Sequence, residues 1–102
     1  MSHLANHDPL TNLPNRVLLY DRIEQAIKRA EQLHHKSALL LIDLDHFKYV
    51  NDSIGHNFGD LLIKQASERL SSICCAGTTL ARLGGDEFVL VLPELQGGNY
   101  LV

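Results

Sequence analysis

The sequence predicts a mixed α/β domain in which helices flank a sheet with an antiparallel component. Three observations carry that expectation: two segments with apolar residues at helical spacing, one short uninterrupted apolar run, and two strand-like runs joined by Gly84-Gly85-Asp86-Glu87. Composition agrees, because 45% hydrophobic and 21% charged residues are ordinary globular usage and argue against a disordered or low-complexity chain. A length of 102 residues suits one core and leaves no room for two.

The elements follow in chain order. His7-Asp8-Pro9-Leu10-Thr11-Asn12-Leu13-Pro14-Asn15 is rich in turn formers, so it reads as an ordered loop with Asn15 placed as a helix N-cap. From Arg16 to about His35, Leu19, Ile23, Ala26, Ile27, Ala30 and Leu33 recur every three or four residues, and Asp21, Arg22, Glu24, Lys28, Arg29 and Glu31 fill the opposite face of an amphipathic helix. Residues 37–43 form a nearly continuous apolar run that ends in Asp43-Leu44-Asp45. Such a run suits the first and central strand, buried on both faces, with a charged tip emerging from the sheet.

Residues 46–54 predict a short helix closed by Gly55, and Gly59 or Asp60 is the expected start of a second amphipathic helix carrying Leu62, Ile63, Ala66, Leu70 and Ile73. Gly77 breaks the chain. Residues 78–83 and 88–92 predict two strands of a hairpin, where paired glycines supply the positive φ values a tight turn needs. Pro93 is the expected end of the second strand. Residues 94–102 show no period.

A formal charge of −3 argues against a basic nucleic-acid surface and leaves open a phosphate ligand held through a metal. Cys74 and Cys75 are neighbours, unable to staple distant segments, and read as two thiols at a helix end in a reducing compartment. The longest apolar run, residues 38–42, is far too short for a bilayer, and Met1-Ser2-His3 opens no signal sequence, so the expected location is the cytoplasm.

The chemistry is concentrated at two tips: Asp43 and Asp45 after the first strand, Asp86 and Glu87 in the hairpin. Solvated acids look the same when taken singly. Carboxylate oxygens also suit Mg²⁺, which takes one or two protein acids and completes its shell with water and phosphate oxygens. If the hairpin lies beside the first strand, Asp43 and Asp86 meet across it and clamp one or two ions, the arrangement of phosphoryl and nucleotidyl transfer. Lys48, Asn51, Asp52, Gly55, His56, Gly59 and Asp60 follow closely. A lysine there balances phosphate charge, and an Asn with an Asp reads a purine edge.

These residues carry a resemblance. The segments Asp43-Leu44-Asp45-His46-Phe47-Lys48-Tyr49-Val50-Asn51-Asp52, Gly55-His56-Asn57-Phe58-Gly59-Asp60 and Arg82-Leu83-Gly84-Gly85-Asp86-Glu87-Phe88 resemble the signature series of the GGDEF-domain diguanylate cyclases. The opening Asp8-Pro9-Leu10-Thr11-Asn12-Leu13-Pro14-Asn15-Arg16 is similar to the first motif of that family. Four segments in the right order over residues 7–93 make the match specific, and the chain is expected to be a single partial domain over 1–102.

The resemblance implies a palm-like, ferredoxin-like sheet flanked by helices and a bacterial signalling enzyme that joins two GTP into cyclic di-GMP, with two domains facing each other as a homodimer. Carried over, Asp43, the Leu44 carbonyl and Asp86 would hold Mg²⁺ or Mn²⁺, and Asp86 would accept the proton of the attacking 3′-hydroxyl. Lys48, with backbone around Phe47, would meet the phosphates. Asn51 and Asp60 would hydrogen-bond guanine, and His56 would line the same pocket. Gly84 and Gly85 would let the backbone approach the nucleotide. Glu87 would be either a second metal ligand or an orienting acid. Read alone, Asp60 is equally a helix-dipole partner.

Two departures stand out. At the family's Arg-x-x-Asp product-inhibition motif this sequence has Cys75-Ala76-Gly77-Thr78, so feedback inhibition there is not expected. The family domain also continues past the hairpin with further helices and strands that bring basic residues to the phosphates. The expectation is therefore a fragment whose first strand has a bare edge, open to pairing or segment exchange with another copy. The alternative reading is a non-catalytic GTP-binding regulatory module. No nucleic acid or membrane partner is expected.

Overall fold

A computed structural model of the chain describes residues 3–45, 47–75 and 77–95. A four-residue helix, α1 (His3–Asn6), precedes the opening loop and has no counterpart in the sequence expectations. In α2 (Arg16–Leu33), the Asn15 side chain accepts hydrogen bonds from the backbone N–H of Val17 and Leu18, at 3.0 and 3.3 Å, as an N-cap does. His34 ends the helix in the left-handed region, at φ 55°. The chain then forms β1 (Lys36–Asp43), α3 (Phe47–Ile54), α4 (His56–Ile73), β2 (Thr79–Gly84) and β3 (Glu87–Leu95).

The three strands are antiparallel in the order β1-β3-β2. Side chains alternate along β3, which gives the sheet two apolar faces. Val89 and Val91 join Ala81, Leu19 and Ala26 under α2, while Phe88 joins Leu80 and Ile63 under α4, with Ile42 and Phe47 packed around them. Phe88 and Ile63 are fully buried. Helices on both faces and a hairpin strand at the centre meet the expected mixed α/β class.

Several local expectations are corrected. Among the described residues, β1 is an edge strand, and Leu39, Leu40 and Leu41 are 51, 47 and 59% exposed, so it is not buried on both faces. The reason is the hairpin: β3, tied to β2 by a tight turn, takes the place beside β1, and among the described residues no strand pairs with the other side of β1. The bare edge itself was expected.

The second amphipathic helix begins at His56, not at Gly59 or Asp60. Gly55, at φ 118°, supplies the whole break between α3 and α4, so the chain is helical again at once. His46, the predicted first residue of α3, lies outside the described residues, as do Ala76 and residues 96–102. Finally, β3 runs through Pro93 to Leu95. The last β2 partner is Val91, and the β1 ladder shifts register between Lys36 and Ala38, so Pro93 sits at an irregular part of the ladder where a missing N–H is tolerated.

Candidate active site

The site begins where β1 ends and the β2–β3 hairpin turns back beside it. The pairs Leu40↔Leu90 and Ile42↔Phe88 bring matching apolar positions to one face, and a one-residue slip would send them to the other. That register puts Asp43 directly opposite Glu87. One residue further, the Leu44 N–H donates to the Asp86 carbonyl at 3.3 Å. Asp43, Leu44, Asp86 and Glu87 therefore stand together at one end of the sheet, the meeting of tips that the sequence made conditional.

The turn depends on glycine. Gly84 and Gly85 have φ values of 150° and 51°, and a Cβ at either position would meet nothing within 4 Å. Their role is conformational, and the surface in front of them is open to close approach by a ligand.

Arg82 braces the same turn. Its Nε and one terminal nitrogen donate to the Gly85 carbonyl at 3.1 and 2.9 Å, while the other terminal nitrogen reaches both carboxylate oxygens of Asp8, at 3.1 and 3.0 Å. The Arg82 backbone N–H also donates to the Pro14 carbonyl at 3.0 Å. Asp8 in turn accepts from the N–H of Leu10 and from the N–H and hydroxyl of Thr11. Burial pushes the Asp8 carboxyl up, but the Thr11 hydrogen bonds and the Arg82 guanidinium outweigh it and hold the group below its ordinary value. Neither Asp8 nor Arg82 had a predicted role. They are 74 residues apart, and no spacing rule links them.

A second cluster forms at the α3–α4 elbow. Phe47 packs into the core under α4 and anchors the start of α3, leaving Lys48 exposed beside it. Asn51 lies one turn later and is half-buried. Its backbone carbonyl accepts from the Gly55 N–H at 3.1 Å, which holds the elbow closed. His56 and Asp60 are exposed in the opening turns of α4. The predicted residues thus fall into a carboxylate tip and a polar elbow, linked by the short segment from Leu44 to Phe47.

The tip offers hard oxygen donors: the Asp43 and Asp86 carboxylates and the Leu44 carbonyl. Among the described residues no three His, Cys, Asp or Glu side chains form a group that could hold a metal ion. The donor set fits Mg²⁺, which needs only one or two protein carboxylates when water and phosphate oxygens supply the remainder. It does not suit a softer ion that requires a full cage of protein ligands.

At the opposite end of β2, a cleft of about 760 Å³ is lined by Arg22, Arg29, Cys74, Cys75, Thr78 and Thr79, among others. Cys74 is half-buried there and donates from Sγ to the Leu70 carbonyl at 3.1 Å, while Cys75 is exposed. Burial, and then the neighbouring Cys75, push the Cys74 thiol above its ordinary value, which suits an inert packed thiol. Among the described residues no helix is long and apolar enough to cross a membrane.

Comparison with known proteins places the chain in a family. The family model described as "Diguanylate cyclase, GGDEF domain" matches residues 5–99. The bifunctional diguanylate cyclase/cyclic di-GMP phosphodiesterase MucR of Pseudomonas aeruginosa is 55% identical over 89 residues, which are 87% of this chain and 13% of MucR. Among solved structures, the GGDEF domain of TpbB (YfiN) from Pseudomonas aeruginosa superposes with a TM-score of 0.85 at 39% identity, covering 90% of this chain and 54% of that one. The coiled coil and GGDEF domain of DgcB from Caulobacter crescentus, in complex with c-di-GMP, gives a TM-score of 0.87 at 32% identity, covering 94% of this chain and 50% of that one. The chain spans about half of these solved structures and a small part of the curated relative. With its signature segments gathered at one sheet end and the adjoining elbow, and with the family model matching nearly its whole length, the chain belongs to the diguanylate cyclase GGDEF domain family.

Proposed function

We propose that this chain is the metal- and guanine-binding part of a diguanylate cyclase domain, which condenses two GTP into cyclic di-GMP and releases two pyrophosphates. The observation that carries the reading is the pairing of the two acid tips, Asp43 opposite Glu87 and the Leu44 N–H on the Asp86 carbonyl. In each condensation the 3′-oxygen of one GTP bonds to the α-phosphorus of the other as the α–β phosphoanhydride bond breaks.

Asp43, the Leu44 carbonyl and Asp86 would hold Mg²⁺ or Mn²⁺, and the ion would supply Lewis-acid stabilisation of phosphate charge. Asp86 accepts the 3′-hydroxyl proton from its place on a turn that Arg82 fixes. Lys48, exposed at the start of α3, neutralises charge that builds on the phosphates, and backbone near Phe47 approaches them. Asn51 and Asp60 offer a donor and an acceptor to the guanine edge, with His56 beside them. Gly84 and Gly85 give the nucleotide room. Glu87, facing Asp43, serves as a second metal ligand or as an orienting acid.

Catalysis needs two sites face to face, so the working unit is a homodimer of domains in the bacterial cytoplasm. The bare edge of β1 makes pairing or segment exchange between copies a further mode of association for this chain.

Incubation of this chain and of a C-terminally extended version with GTP and Mg²⁺, followed by nucleotide analysis, tests the reading. The extended version should yield cyclic di-GMP and pyrophosphate. GTP bound without product would favour a regulatory module, and no GTP binding in the extended version would overturn the proposal.

A further inference from the structure

Gly59 is misplaced by helix propensity alone. It lies in the opening turns of α4, where glycine weakens a helix relative to alanine, and it is buried. The other described glycines, Gly55, Gly77, Gly84 and Gly85, have positive φ and open space in front of Cα. Gly59 is the reverse case: its backbone is helical and the space is taken. A Cβ built there would overlap the Asn51 side-chain oxygen, stand 2.9 Å from Asn51 Cγ and lie 3.5 Å from Phe47 Cε1. The missing methyl is what lets the Asn51 carboxamide sit against α4.

That oxygen, Asn51 Oδ1, is buried with no hydrogen-bond partner. An orphaned acceptor is costly and persists only where packing over-determines it, which is common at functional sites. Here Gly59 supplies the packing surface, with the Phe47 ring close by. Asp60 is the next residue along α4, so one helical turn sets both the resting place of the Asn51 amide and the origin of the Asp60 carboxylate.

We infer that Gly59 is a positioning residue for purine recognition, fixing the Asn51 carboxamide beside Asp60 and so setting the preference for guanine over adenine. The inference rests on the reading of Asn51 and Asp60 as guanine contacts. A methyl at position 59 lifts the amide off α4 and misaligns it, while Asp60, about 100° around the helix, keeps its place.

The test is a double-mutant cycle on this chain, with GTP and ATP titrated in the presence of Mg²⁺ and thermal melting followed in parallel. Gly59→Ala should weaken GTP binding about tenfold with little effect on ATP, because a site built to hydrogen-bond one base loses that base selectively. In an Asn51→Ala background the clash is gone, so Gly59→Ala should change GTP affinity less than about twofold and raise the melting temperature, as alanine replaces glycine in a helix. Undiminished GTP preference in Gly59→Ala, or an equal loss in both backgrounds, would overturn the inference while the wild-type preference stands. A wild-type chain with no preference for GTP over ATP would overturn the guanine reading itself and the inference with it. If Gly59→Ala proves too unstable to titrate, the melting data decide: a destabilisation that persists undiminished in the Asn51→Ala background places the clash elsewhere and sinks the idea.

Discussion

Arg82 joins two segments that are 74 residues apart, reaching Asp8 with one terminal nitrogen and the Gly85 carbonyl with Nε and the other. The bridge runs from the opening loop to the residue just before Asp86, so a fold contact also fixes a site residue. Arg82→Ala should lower stability by about 2 kcal/mol, the scale of lost hydrogen bonds to a charged group, because a partly buried carboxylate loses its cation. It should also reduce GTP turnover of the extended domain under conditions where the domain remains folded. Urea unfolding and product assays on one preparation separate the two effects.

The same contact has a pH signature. The Asp8 carboxyl is held below its ordinary value in the folded chain, so its contribution to stability is complete above the unfolded value of about 4 and is lost as pH falls through the folded one. Stability from this group should be flat above about pH 5 and decline below it. Asp8→Asn should flatten part of that decline while lowering stability at neutral pH, as chemical denaturation from pH 3 to 7 would show.

Asp86→Ala should abolish cyclic di-GMP formation by the extended domain, at a loss far beyond that of one surface acid, because the proposed function gives the residue both metal and proton to serve. Glu87→Ala should cost less if Glu87 only orients. Full activity in Asp86→Ala would mean that the metal assignment is wrong.

Phe88 is the side chain through which the hairpin reaches the core. It is fully buried against Ile63 and Leu80, and Phe88→Ala should destabilise the chain by about 3 to 5 kcal/mol through the cavity it leaves. Calorimetry or denaturant unfolding measures the loss.

The exposed leucines of β1 predict self-association at micromolar concentration, and Leu40→Lys on that edge should reduce it, since a charge on an edge strand opposes further pairing. Light scattering before and after the substitution tests this. A stable wild-type monomer would count against association through this edge.

Cys75 and Thr78 stand in the cleft at the far end of β2, and the resemblance puts the product-inhibition motif, absent here, at these positions. Titration of cyclic di-GMP into the chain should show no tight site beside them. Tight binding that maps there would contradict the reading.

The sequence by itself determined most of the elements and the residues on which the proposed chemistry rests. Helical spacing located α2 and the body of α4, Asn15 marked a cap that forms as expected, and paired glycines marked the hairpin turn, because these are local rules of propensity and φ. The acid tips and the Lys48-to-Asp60 segment were legible as motifs. Tertiary structure alone decided which strand sits at the centre. An apolar run such as residues 38–42 says that burial is wanted, not which neighbours supply it, and the hairpin gave the central place to β3. It also decided the start of α4, since only the backbone angle at Gly55 shows that one residue suffices to separate two helices. The Asp8–Arg82 bridge and the seat of Asn51 on Gly59 lay beyond reach for the same reason. Both are contacts made across the fold, set by packing and register, and neither leaves a period in the chain.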